Sequence, residues 1–216
     1  DDCVVNLSKG PHADHDIGKA QDVLAKITAD FKYFKNEIEK LDDEHRRAHD
    51  DMKEKAKVCR DKLMKDIEAI KDLKYKYIRF MVHSQWDELE VLLTEDCRSE
   101  YSDGKYSFPD RNTLMGFLRK SHDGHEKPFV SFWQVSQPEI ELLSDTEATG
   151  IWCMRHATVD MNSNQEIRQF AWYHDRYRKE EGRWKICKTG YTRTLEDNWS
   201  RGDLPSIKLE VPQILF

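Results

Sequence analysis

Apolar residues return along the first third of the chain at alternating steps of three and four. Leu24, Ile27, Phe31, Phe34, Ile38, Leu41, His45, Ala48 and Met52 mark a heptad seam, with Lys and Glu filling the other positions. A 3.5-residue repeat keeps one narrow stripe turned toward a partner helix, so the pattern predicts a coiled-coil-like helix. After Met52 the apolar positions move to Ala56, Cys59, Leu63 and Ile67, a stutter that locally unwinds a supercoil. Neither Gly nor Pro interrupts residues 19–103. Such a helix either lies on its own domain or helps to form an oligomer, and its long charged surface with one apolar stripe favours the second.

From about Asp66 the apolar face broadens to Ile67, Ile70, Leu73, Tyr77, Phe80 and Met81, suited to covering a sheet. A short helix, WDELEVLLT, is predicted next, then two short strands in CRSEYSDGKYSF around the hairpin signal Asp103-Gly104. DRNTLMGFLRKS has helical periodicity behind the capping Asp110. After the polar loop HDGHEKP come the strand-like segments FVSFWQV, PEIELLS, EATGIWCMRHATV, EIRQFAWYHDRYRKE and GRWKICKTGYTRT. Turns fall at Ser144-Asp145, Asn162 to Asn164 and Glu180 to Gly182. Helices followed by a run of long antiparallel strands imply an α+β domain: a curved antiparallel sheet with helices in its concave side, closing a cone-shaped barrel around a pocket. The expected divisions are a flexible tail at 1–17, the long helix at 18–65, the α+β domain at 66–199 and a C-terminal tail at 200–216.

Composition narrows the partners. The net charge of −6 over 216 residues gives no electrostatic reason to bind nucleic acid or an anionic membrane, and 38% hydrophobic residues support a core. No apolar run approaches the ~20 residues that span a bilayer. Cys3, Cys59, Cys97, Cys153 and Cys187 are scattered, odd in number and without a CxxC pair. Reduced thiols in a cytoplasmic protein are the simplest reading, although a chain that begins at Asp1 leaves room for a removed leader. His12, Asp14, His15 and Asp16 complete no ligand set of known spacing and read as solvated tail.

Taken in order, IEAIKDLKYKYIRF, WDELEVLL, EYSDGKYSF, SQPEIELLSDTEATGIW, YRKEEGRWKICKTGYTR and LEDNW resemble the SnoaL-like branch of the NTF2-like superfamily over roughly residues 66–199. The likeness is to the bacterial bile-acid 7-alpha-dehydratases and, further off, the scytalone dehydratases. It implies a cone-shaped α+β barrel with a buried hydrophobic pocket, no cofactor, and often a trimer; the cysteine and histidine spacings above give no metal site. The dehydratases' helix tyrosine matches Tyr77, the tyrosine before their Ser-Asp-Gly turn matches Tyr101, and their last-strand arginine matches Arg193. Their helix aspartate falls on Val82, their pocket histidine on Trp133, and a further aspartate on His156. The pair that moves the proton in those enzymes is absent from both expected places.

Elimination needs one group that accepts a proton near neutral pH and another that donates one. His156 is the natural replacement base, and strand alternation puts it on one face with Ala148, Gly150, Trp152 and Met154. His83, about 100° round the helix from Val82, and His174 are lesser candidates. Tyr77 and Tyr101 can steady an oxyanion or protonate a leaving hydroxyl, and Arg193 can hold an acidic group, or simply pair with Glu196 or Asp197. Val82 and Trp133 widen the apolar wall, with Gln134 and Trp152 as pocket neighbours, while Phe80, Met81, Phe132 and Phe170 are expected in the core.

Two classes of function follow. One is a cofactor-free lyase acting on a bulky hydrophobic or aromatic substrate, by loss of water or by C–C cleavage with loss of formaldehyde. The other is a non-catalytic module of the same fold that binds a hydrophobic small molecule. Both are compatible with a homo-oligomer.

Overall fold

The computed structural model of the chain describes residues 13–211. His12, Cys3 and the side chains of Asp14, His15 and Asp16 lie outside what it describes. Helix α1 runs Ala13–Val82, so regular structure begins within the stretch expected to be tail. The chain divides into two compact units, one up to Asp61 and one from Lys62 onward.

In the first unit the heptad residues of α1 stand in solvent: Leu24, Ile27, Phe31, Phe34, Ile38, Leu41 and Met52 are all exposed. In the second unit the end of α1 buries Ile70, Leu73, Lys74, Tyr77, Ile78 and Met81, one face at steps of three and four. Helix α2 (Trp86–Glu90) follows. Its predicted extension to Thr94 instead opens strand β1 (Leu93–Tyr101), which hairpins into β2 (Tyr106–Phe108). Helix α3 (Arg111–His122) starts as its sequence predicts, the Asp110 carboxylate accepting from the Thr113 amide at 2.9 Å.

Four long strands complete the domain: β3 (Phe129–Leu142), β4 (Glu147–Asp160), β5 (Gln165–Glu180) and β6 (Arg183–Ser200). FVSFWQV and PEIELLS are one strand, not two. The register shift between Ser136 and Glu139, with Gln137 at φ 53°, is a bulge that bends β3 without ending it. The six-stranded sheet has the order β2-β1-β6-β5-β4-β3. One pairing departs from the antiparallel expectation: β1 runs parallel to β6, a pairing that a hairpin cannot make and that needs the long connection between them. Gly190 lies opposite Glu100 in that pairing, where a Cβ would come 2.3 Å from the Glu100 carbonyl oxygen.

Burial alternates along β4 and β5. Ala148, Trp152, Met154 and His156 face inward as their spacing predicts. Phe132 and Phe170, expected in the core, are 56% and 36% exposed because they occupy the opposite phase of their strands. The C-terminal segment is anchored at its start, where buried Arg201 pairs with Glu166. No described helix is long and apolar enough to cross a membrane.

Candidate functional site

A cavity of about 380 Å³ opens on the concave side of the sheet, walled by α3 and by β1 to β6. Aromatic side chains are prominent in its lining. Tyr101 stacks on Tyr191 at 5.5 Å between centroids, and Trp133 lies over His156 at 4.2 Å with the rings nearly parallel. The strand register explains the second contact, since Trp133 and His156 are directly opposite across β3 and β4.

The structure brings Tyr101, Trp133 and His156 to this cavity. Tyr77 stands behind Tyr101, fully buried, with the two hydroxyl oxygens 2.8 Å apart. Burial pushes both phenols well above their ordinary range, so both keep their protons and can donate. Tyr77 donating to Tyr101 leaves the Tyr101 proton free for a ligand.

The other expected residues do not join them. Val82 and Gln134 line a separate depression with Phe132 and His83, and Trp133 borders both spaces. Gln134 is one residue from Trp133 and therefore on the other sheet face. Trp152 is fully buried below the cavity wall, its indole N–H donating to the Tyr177 hydroxyl at 2.9 Å. His174 is exposed and reaches Thr192. Arg193 is not positioned as an anchor for an acidic ligand. Asp103 accepts from its backbone N–H and from Nε, both at 2.8 Å, and Glu196 takes a terminal nitrogen at 2.9 Å.

Arg193 is nevertheless connected to His156. Glu196 also accepts from the Gln169 amide nitrogen. A carboxylate only accepts, so Gln169 turns its oxygen to His156, and Nδ1 must carry the proton of the 3.0 Å bond between them. His156 Nε2 is then an acceptor, filled by the Thr158 hydroxyl at 2.7 Å, and Thr158 in turn accepts from Ser131 at 2.8 Å. Burial drives the imidazole down to about 4, against the pull of Gln169. His156 is a neutral ring with both nitrogens engaged, held in one tautomer by a chain that starts at a surface ion pair.

Sequence reading missed the second imidazole. His122, in the last turn of α3, lines the cavity and packs on Trp133 at 5.4 Å. Its Nδ1 lies 2.9 Å from the Ser121 hydroxyl, which donates to the Leu118 carbonyl, and 3.0 Å from that carbonyl, which can only accept; with the proton on Nδ1, Nε2 is the lone-pair nitrogen. That Nε2 is buried and has no hydrogen-bond partner among the described residues. Burial lowers its pKa, so the ring is neutral and able to accept. Its place at a helix end four residues after Leu118 was the available signal. The segment's polarity suggested only a loop.

Below the cavity lies a second unforeseen group. Lys74 and Asp175, both fully buried, pair at 2.7 Å. The Tyr177 hydroxyl donates to one Asp175 oxygen at 2.9 Å and Thr189 to the other at 2.8 Å, while the Lys74 ammonium sits 3.5 Å from the centroid of Tyr173. Burial lowers the Lys74 pKa and its pairing with Asp175 opposes this.

The sequence pattern of the SnoaL-like domain family matches residues 63–190. Solved structures similar to this chain include three that illustrate the range. One is a scytalone dehydratase-like protein from Novosphingobium aromaticivorans, with a TM-score of 0.58 and 19% identity over 64% of this chain and 91% of that one. The hexachlorocyclohexane dehydrochlorinase LinA-type3 from Novosphingobium barchaimii gives 0.58 and 16% over 70% of this chain and 98% of that one. ActVI-ORFA from Streptomyces coelicolor gives 0.51 and 12% over 59% and 96%. At these identities the likeness establishes the fold and leaves the reaction open.

Proposed function

Since the chain belongs to the SnoaL-like domain family of the NTF2-like superfamily, we propose that it is a cofactor-free lyase acting on a bulky hydrophobic or aromatic substrate, with His122 as proton acceptor and Tyr101 as proton donor. The observation that carries this reading is the unpartnered Nε2 of His122, on a ring that lines the same cavity as Tyr101. In a dehydration, His122 Nε2 takes the proton from carbon and the electron pair forms the double bond. The carbon–oxygen bond breaks as Tyr101 gives its proton to the leaving hydroxyl, releasing water, and Tyr77 supports the phenolate that remains. Return of the proton from His122 to Tyr101 resets the site. C–C cleavage of an aryl-propane-1,3-diol uses the same pair: His122 takes the terminal hydroxyl proton, the C–C bond breaks to release formaldehyde, its electron pair forms the new double bond, and the other hydroxyl leaves as water with the Tyr101 proton. His156, Thr158 and Ser131 shape and polarise the wall, and Arg193 acts through Glu196 and Gln169 to hold His156.

The exposed heptad seam of α1 supports a homo-oligomer, and the family resemblance favours a trimer.

Purified protein incubated with allylic 3-oxo-steroid alcohols and with aryl-propane diols tests the reaction, with products read by mass. Loss of water or formaldehyde, reduced about 10²-fold or more in His122→Asn and in Tyr101→Phe, is the expected result. Turnover that survives both substitutions would overturn the assignment. Absence of product with either set, together with tight binding of an aromatic compound unaffected by His122→Asn, would favour the binding module.

A further inference from the structure

The cavity is uneven in charge. Among the described residues that line it there is neither Lys nor Arg, and the one carboxylate is that of Asp160. Asp160 closes β4 two residues beyond Thr158, directly opposite Phe129 on β3 and Gln165 on β5. Register therefore puts a carboxylate beside an aromatic ring and a polar amide at one end of the cavity, with Asn198 opposite the neighbouring Ile167. One Asp160 oxygen accepts from the Asn162 backbone and side-chain nitrogens at 2.8 and 2.9 Å, and the other from Ser163 at 2.6 Å. Burial pushes this carboxyl up, but those donors outweigh it and bring it to about 2, so the charge persists at every physiological pH.

The arginines near the end of β6 do not offset it. Arg193 is held by Asp103 and Glu196, and Arg201 by Glu166. An anionic ligand would enter an aromatic space with no lining cation and a fixed negative charge at its polar end. A cationic one meets a carboxylate in a space that the aromatic residues Phe129, Tyr101 and Tyr191 also line.

We propose that the cavity recognises an aromatic ligand that carries a protonated amine, its ring system against the aromatic walls and its ammonium at Asp160. This rests on the reading of the cavity as the ligand site and specifies the charge of what it takes.

Three probes with one ring system test it by calorimetry on the full chain at pH 7: 1-naphthylmethylammonium, 1-naphthylmethanol and 1-naphthoate. The ammonium is expected to bind about tenfold or more tighter than the carboxylate, with the alcohol between them. Asp160→Asn should cost the ammonium several-fold and leave the alcohol unchanged, and Trp133→Ala should weaken all three, locating them in this cavity. Raising the salt concentration should weaken the ammonium alone, a check that needs no substitution. Equal or tighter binding of 1-naphthoate, an ammonium preference untouched by Asp160→Asn and by salt, or no binding by any probe would each overturn the proposal. Product formation on the diols and steroids is scored separately, so a lyase without this charge preference, or this preference without turnover, is recognised as such.

Discussion

His122 and His156 share the cavity and both are neutral by burial, yet only His122 leaves a nitrogen lone pair without a partner. Protonating His156 would place a hydrogen on Nε2, where the Thr158 hydroxyl already points. A histidine depressed in the fold is protonated more readily when unfolded, so the unfolded state gains as pH falls through the ordinary value near 6.5. The loss stops near the folded value of about 4. For His156 this amounts to on the order of 3 kcal/mol across that window, with His122 adding in the same direction. Urea titrations between pH 7 and 4 should show stability declining, and His156→Asn should flatten the decline. A wild-type stability constant over that range would contradict the burial of both rings. In turnover the ranking reverses: His122→Asn should remove most activity, while His156→Asn, which breaks the chain to Arg193 but leaves the acceptor, should cost less.

At the scale of elements, two contacts carry more than their sequence suggested. Gly190 lets β6 lie against β1, and Gly190→Ala would press a Cβ into the Glu100 carbonyl. A clash with backbone has no flexible side chain to yield, so a loss of about 1–3 kcal/mol or more is expected in denaturant titration, with Gly116→Ala, where a Cβ meets open space, as the harmless comparison. The buried Lys74–Asp175 pair ties α1 to β5. Lys74→Met alone strands a buried carboxylate and should cost about 3–5 kcal/mol. Lys74→Met with Asp175→Asn should recover much of that, since the Tyr177 hydroxyl can still donate to the amide oxygen while the Thr189 hydroxyl, on the other side, turns to accept from the amide nitrogen. Additive losses in this cycle would mean that the pair is not coupled. These elements also show what was legible. The inward set of β4 followed from period two, and the same period, run on to Thr158 and Asp160, marks two further cavity residues. The parallel β1–β6 pairing and the one-residue bulges were not legible, because they depend on partners far along the chain. Lys74 resisted reading because a lysine on an apolar helix face is ordinarily taken as solvated until its partner, 101 positions later, is known.

For the molecule as a whole, the open matter is the apolar seam of α1, which remains in solvent in the single chain. With Leu24 as the first position of a heptad, the residues that precede each following turn of the seam are Asp30, Glu37, Glu44 and Asp51, all acidic. An antiparallel pair would set this acidic edge against itself. A parallel arrangement sets it against Thr28, Lys35, Asp42 and His49 instead, giving Asp30 a lysine in the partner chain and leaving only Glu37 and Asp42 opposed. Charge therefore favours a parallel arrangement wherever two copies of the seam pair. Ile38→Asp with Leu41→Asp should reduce the mass in sedimentation to that of one chain, and a wild-type protein already of that mass would remove the seam's role. Orientation has its own test on a background lacking Cys3 and Cys59. Ile27→Cys and Leu41→Cys, made separately, should each cross-link to the same position of another chain on oxidation, because parallel helices in register keep like residues together. In an antiparallel pair only one position along the seam can meet itself, so cross-linking at one site and not the other would reverse the orientation.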